Sequence, residues 1–239
     1  MLLAIVAALA GAISAVTGFG IGSLLTPLLA LAVDIRLAVA AVAIPHVAGT
    51  ALRFWLIDAP VDRGVFRTFG LTSAAGGLIG ALMHGWAGSR WLTAVFGLLL
   101  LLAAASEVTG LARRMRFRGA GAWIAGAVSG VLGGLVGNQG GIRSAALLGF
   151  DLPRTTFVAT ATAVALVIDG ARLPVYLITQ GRDLAAIAGS IAVATAGVLA
   201  GTLLGSRVLR WIPESAFRRV LAVILAALGT WMLVRAAGS

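Results

Sequence analysis

Gly11-Ala12-Ile13-Ser14-Ala15-Val16-Thr17-Gly18 returns 115 residues later as Gly126-Ala127-Val128-Ser129-Gly130-Val131-Leu132-Gly133. Each copy lies in apolar sequence and runs on into a glycine cluster. The first continues Phe19-Gly20-Ile21-Gly22, the second Gly134-Leu135-Val136-Gly137-Asn138-Gln139-Gly140-Gly141. The offset is close to half of the 239 residues, so the chain reads as two similar halves, each opening with an interrupted apolar segment. Broken segments at matching places in two membrane halves point to a transport site.

The surroundings of the repeat make the membrane unavoidable. The chain is 60% hydrophobic and 11% charged, with a mean hydropathy of +1.06. A soluble domain of this size could not hide that much apolar surface. A helix needs ~20 apolar residues to span the hydrocarbon core, so eight spans use roughly 160 to 175 residues and leave only short loops. Alternating strand patterns are missing, which excludes a barrel. The expectation is an all-α integral membrane protein of about eight transmembrane helices in two homologous halves, each beginning with a glycine-broken helix or re-entrant hairpin. Residues 1–110 form the first repeat, 111–119 a basic connecting loop and 120–239 the second repeat. The cell membrane, in a bacterium the inner one, is the expected location.

The net charge is +10, and all 18 basic residues are arginine. They are spread through short loops, which suits topology and anionic lipid better than nucleic acid. The absence of cysteine excludes disulfides and thiolate chemistry. No arginine precedes Arg36, so residues 1–15 lack the basic start of a signal peptide and are expected in the mature chain.

Spans are expected at about 35–57, 66–86, 91–109, 155–178, 184–209 and 217–234, beside the broken regions 2–33 and 120–150. If each broken region counts as one crossing, the halves hold four spans each and are parallel. If each is a returning hairpin, the count per half is odd and the halves are inverted. Both remain open, with four plus four the first expectation. Gly197, Gly201 and Gly205, four apart, are expected to let helices approach closely.

Irregular backbone survives in lipid only where protein or a water-filled cavity satisfies it, and freed N–H groups at half-helix ends attract anions. Gly18, Gly20 and Gly22, with Gly137, Gly140 and Gly141, are therefore candidate binding residues; plain glycine packing is the competing reading. Asn138, Gln139 and Arg143 make the second copy the richer one, because such side chains are costly in lipid without a purpose. Arg143 suits an oxyanion ligand or gate, against an interfacial residue that snorkels. Asp169 and Arg172, three apart, share a helix face as a structural ion pair or a charge-coupling pair. Arg53 lies in the corresponding span of the first half. His46 is a candidate proton relay, or a histidine that is merely hydrogen-bonded. His84, beside Trp86 and Trp91, reads as interfacial. No metal, hydrolase or nucleotide motif is present, so neither an enzyme nor a cofactor is expected.

The doubled Gly-x-x-Ser-x-x-x-Gly, each followed by a glycine cluster, resembles the sulfite exporter TauE/SafE family of membrane transporters over essentially the whole chain. Such families carry Gly-x-Gly-Gly-Gly here with a proline soon after. Gly18-Phe19-Gly20-Ile21-Gly22 and Pro27 match, whereas the second copy has Arg143-Ser144 where a proline is expected. That departure points to residues 138–143 as the seat of selectivity. The resemblance implies secondary transport of sulfite, a sulfonate or a related sulfur-containing organic acid, bound where the broken segments meet. The residues alone reach a membrane carrier for a small anion. A carrier or channel for another solute, or a non-transporting scaffold, are the rivals. The expected partners are the small anion and the lipid bilayer, with proton coupling and a homo-oligomer left open.

Overall fold

The computed structural model describes residues 1–110, 119–137, 140–209 and 214–238. The basic loop with Arg113–Arg118, and Asn138 and Gln139, lie outside the described residues. Within them the chain is helical, without strands. We number the helices α1 (Leu2–Thr17), α2 (Ile21–Leu29), α3 (Ile35–Leu56), α4 (Arg63–His84, with a π-helical stretch at Phe66–Gly70), α5 (Ser89–Thr109), α6 (Ala120–Val136), α7 (Gly140–Leu147), α8 (Arg154–Ala186), α9 (Ala188–Leu209) and α10 (Glu214–Gly238).

The glycine clusters break the helices as the sequence expects, and backbone geometry shows how. α1 ends on Gly18 at φ 83°, whose N–H bonds to the Ser14 carbonyl at 2.9 Å. Gly20 follows at φ 127°. Both values are cheap only for glycine. A Cβ on Gly20 would lie 3.0 Å from Ile13, nearly two turns back along α1. The chain therefore doubles back rather than passing through a kink. α6 ends in the same way on Gly137 at φ 72°, its N–H 3.0 Å from the Gly133 carbonyl.

The helix-ending glycines stand at a different spacing from the sequence motif. The motif pairs Gly18 with Gly133, 115 residues on, but the helix-ending glycine of the second region is Gly137, 119 residues on. The residues that precede the first turns of α3 and α8, Asp34 and Pro153, are also 119 apart. The two offsets differ by four residues, about one helical turn, which keeps the glycines on one face and conceals the slip in the sequence.

Six helices are long and apolar enough to cross a membrane: α3, α4, α5, α8, α9 and α10. α1 and α6, at 16 and 17 residues, fall short of that length. The break expected between residues 178 and 184 falls at Gln180, whose backbone (φ −131°, ψ 16°) is not helical and divides α8 into two stretches.

The helices pack reciprocally. α1 lies along α9, α4 along α6 and α5 along α10, while α3 and α8 meet each other near the centre. Small residues make these approaches possible. A Cβ on Gly201 of α9 would sit 1.9 Å from the Ala8 carbonyl oxygen, and one on Gly134 of α6 would sit 2.0 Å from that of Gly77. α3 is the most enclosed span, 61% buried, whereas α5 and α10 are 33% buried and turn most of their surface to lipid. Trp55, Trp86 and Trp91 are exposed, as an interfacial aromatic belt requires.

Candidate functional site

The ends of α1 and α6 face each other. A Cβ on Gly22 would come within 2.6 Å of the Gly137 carbonyl oxygen, and one on Gly140 within 2.2 Å of Phe19. Between them lies a small cavity of about 10 Å³, lined by Phe19, Gly20, Gly22, Ser23, His46, Gly137, Gly140 and Arg143. Half of the lining residues are glycines, so the polar side chains among the rest decide its chemistry.

Arg143, on α7, is only 2% exposed and does not snorkel. Its Nη2 donates to the Gly18 carbonyl at 3.1 Å, which ties α7 to the end of α1. Its Nε and Nη1 have no hydrogen-bond partner. A buried guanidinium with idle donors is costly in a low-dielectric interior unless an acceptor arrives.

Behind the pocket runs a chain of bonds. His46 Nδ1 donates to Asp169 Oδ2 at 2.7 Å, joining α3 to α8. Asp169 Oδ1 accepts from Arg172 Nε at 2.9 Å and Nη2 at 2.8 Å. Arg172 Nη1 donates to the Gly133 carbonyl at 2.7 Å, near the end of α6. Asp169 and Arg172 thus form the ion pair that their spacing suggests, and His46 extends it to the pocket wall.

Arg53 repeats part of this in the first half. Its Nη1 donates to the Ser14 carbonyl at 2.6 Å and to Ser14 Oγ at 3.3 Å. Arg53 and Arg172 are 119 residues apart, as are the capping glycines, so each arginine grips the carbonyl four residues before its cap. Neither lines the pocket. Gly18 borders it through the carbonyl that holds Arg143, and Gly141 falls within α7 beside Gly140.

A family model described as Sulfite exporter TauE/SafE matches residues 3–232. The chain belongs to the sulfite exporter TauE/SafE family. It is accordingly a multi-pass protein of the cell membrane and a transporter of sulfur-containing anions rather than an enzyme. No individual curated protein and no solved structure matches it.

Within this TauE/SafE chain, four residues near the site escaped the sequence reading. Phe19 and Ser23 line the pocket but sit inside the glycine cluster, where glycine drew the attention. Tyr176, the one tyrosine, lies four residues after Arg172 on the same face and donates to the Gly134 carbonyl. His84, the last residue of α4, is 1% exposed. Its Nδ1 faces the Leu135 carbonyl at 2.7 Å and its Nε2 the Arg36 carbonyl at 3.2 Å. The last turn of α4 thus packs inward at His84 while Trp86, two residues on, is exposed. The i, i+4 spacing of Arg172 and Tyr176 was the available signal for the tyrosine.

Proposed function

We propose that the pocket between the two turns is the substrate site of a secondary transporter for sulfite, a sulfonate or a related sulfur-containing organic acid. The observation that carries this is Arg143, which is buried and brings two unpartnered donors to a pocket lined by glycine backbone. A planar fork suits an oxyanion, and the turn glycines let it approach the backbone closely. Gly18, Gly20, Gly22, Gly137, Gly140 and Gly141 shape the site, and the amides of Asn138 and Gln139 are further candidate ligands by their place in the sequence.

His46 and Asp169 supply proton coupling in this reading. Asp169 holds Nδ1 of His46, leaving Nε2 for the pocket, where a proton can be exchanged with the substrate. Arg172 keeps the carboxylate ionised, and Arg53 supplies further positive charge. The chain carries no nucleotide-binding motif, so gradients drive the movement. Two homologous halves, related by inversion, follow from returning hairpins and three crossings per half. The recurrence of caps and arginines at one spacing, and the reciprocal packing of α1 on α9 and α6 on α4, support it.

Sulfite flux in proteoliposomes tests the assignment. Arg143→Ala removes charge-assisted bonds worth about 1.5–3 kcal/mol, so substrate affinity should fall about 10- to 100-fold. Unchanged flux and affinity would remove Arg143 from the site. Flux of an unrelated solute that sulfite does not inhibit would favour a different carrier.

A further inference from the structure

Buried charge around the pocket does not balance. Arg53, Arg143 and Arg172 are 6%, 2% and 1% exposed, and Asp169, fully buried, is the one acidic side chain among the buried described residues. Asp169 commits one oxygen to His46 and the other to Arg172. Arg172 is therefore neutralised. Among the described residues Arg53 and Arg143 hydrogen-bond only to neutral carbonyl and hydroxyl oxygens, Asp169 acts on both without touching them, and each retains an unpartnered Nε. The two act on each other electrostatically, and both reach the end of α1, at Ser14 and Gly18. With His46 neutral, three buried arginines share one buried carboxylate among the described residues, an excess of two positive charges beside the pocket.

Resting on the pocket assignment above, we infer that the site is charge-matched to a divalent oxyanion. Arg143 is the ligand. Arg53 is a second cation that sets the preference for two negative charges over one without touching the substrate. A monovalent anion would satisfy Arg143 and leave Arg53 uncompensated in a low-dielectric interior, where unpaired charge is expensive. A dianion compensates both. Because the second charge acts at a distance, it selects on charge rather than shape.

Two anions of nearly the same shape separate these properties. Methylphosphonate at alkaline pH is a dianion; methanesulfonate is a monoanion. Each is used to compete with labelled sulfite in proteoliposomes containing the full chain. Methylphosphonate should compete about tenfold better or more, the size expected of one additional unit charge a few ångströms away at an intermediate dielectric. Arg53→Gln should bring the ratio near unity, and Arg53→Lys, which keeps the charge but loses the fork, should restore it. A purely structural Arg53 would alter total flux without moving the ratio. Equal competition in the wild type, or an unchanged ratio in a monodisperse Arg53→Gln protein, overturns the inference while leaving the sulfite site standing. Should Arg53→Gln fail to fold, the wild-type ratio and Arg53→Lys decide. Sulfite flux indifferent to both competitors and to Arg143→Gln overturns the pocket assignment as well.

Discussion

The ends of α1 and α6 are built alike and secured differently. Each stops on a left-handed glycine and each has an arginine on the carbonyl four residues earlier. At α6, three successive carbonyls are taken by side chains: Gly133 by Arg172, Gly134 by Tyr176 and Leu135 by His84. At α1, Arg53 holds Ser14 and Arg143 reaches across to Gly18. The positions 119 residues before Asp169 and Tyr176 are Thr50 and Ile57, so the first half has neither the carboxylate nor the phenol. One end is a braced anchor. The other is held by two cations that retain donors for something else. The two helix ends differ, with rigidity on one side and unspent charge on the other.

The largest effect should come from removing the acid that distinguishes the second half. Asp169→Asn leaves Arg172 as an uncompensated buried charge and should cost about 3–5 kcal/mol, read as a lowered Tm in detergent. No comparable loss is open to Thr50. Next are the caps. Alanine at φ above zero costs about 1–2 kcal/mol. A Cβ at Gly137 would also lie 3.3 Å from Arg172 Nη1 and 3.4 Å from Val39, whereas one at Gly18 would meet only Arg53 Nη1, at 3.8 Å. Gly137→Ala should therefore destabilise more than Gly18→Ala; equal losses would mean that the two ends are equally constrained.

Smaller still is Tyr176→Phe. It strips one carbonyl of its donor at a cost of about 1 kcal/mol and should leave sulfite affinity intact, since Tyr176 does not line the pocket. A changed affinity would show that bracing α6 reaches the site.

The least effect belongs to the helix starts. Asp34 caps α3 by accepting from the Arg36 N–H at 2.9 Å, whereas α8 starts after Pro153 with no side-chain cap. Burial pushes the Asp34 carboxyl up, but hydrogen bonds from Ser89 and Arg36, with the Arg36 charge, outweigh it and hold it below its ordinary value. A lowered folded-state pKa means that its stabilisation is present above the ordinary aspartate range and is lost on acidification through the folded value. Asp34→Ala should cost at most about 1 kcal/mol and should flatten the acid limb of stability.

The sequence made the helical membrane class, both breaks, Arg143 and the Asp169–Arg172 pair legible, because each is a local signal: an apolar run, a glycine cluster, a charge where charge is costly. The doubling back of α1 into α2 was not legible, since glycines permit a kink and a hairpin equally. Nor was the 119-residue register, because a shift of one turn preserves the glycine face. The His46–Asp169 bond joins residues 123 apart on different helices, and nothing local to either names the other. The inward bonds of His84 were not legible because its neighbours in sequence are exposed.

The most direct test of the central claim is the position of a bound oxyanion. Selenite, a heavier analogue of sulfite, marks itself by anomalous scattering in crystals of the full chain. The expected result is one strong peak between the Gly18 and Gly137 turns, within hydrogen-bonding distance of Arg143 Nε and Nη1 and absent in Arg143→Gln. A selenite-inhibited protein whose peak lies elsewhere, or persists there in Arg143→Gln, would contradict it.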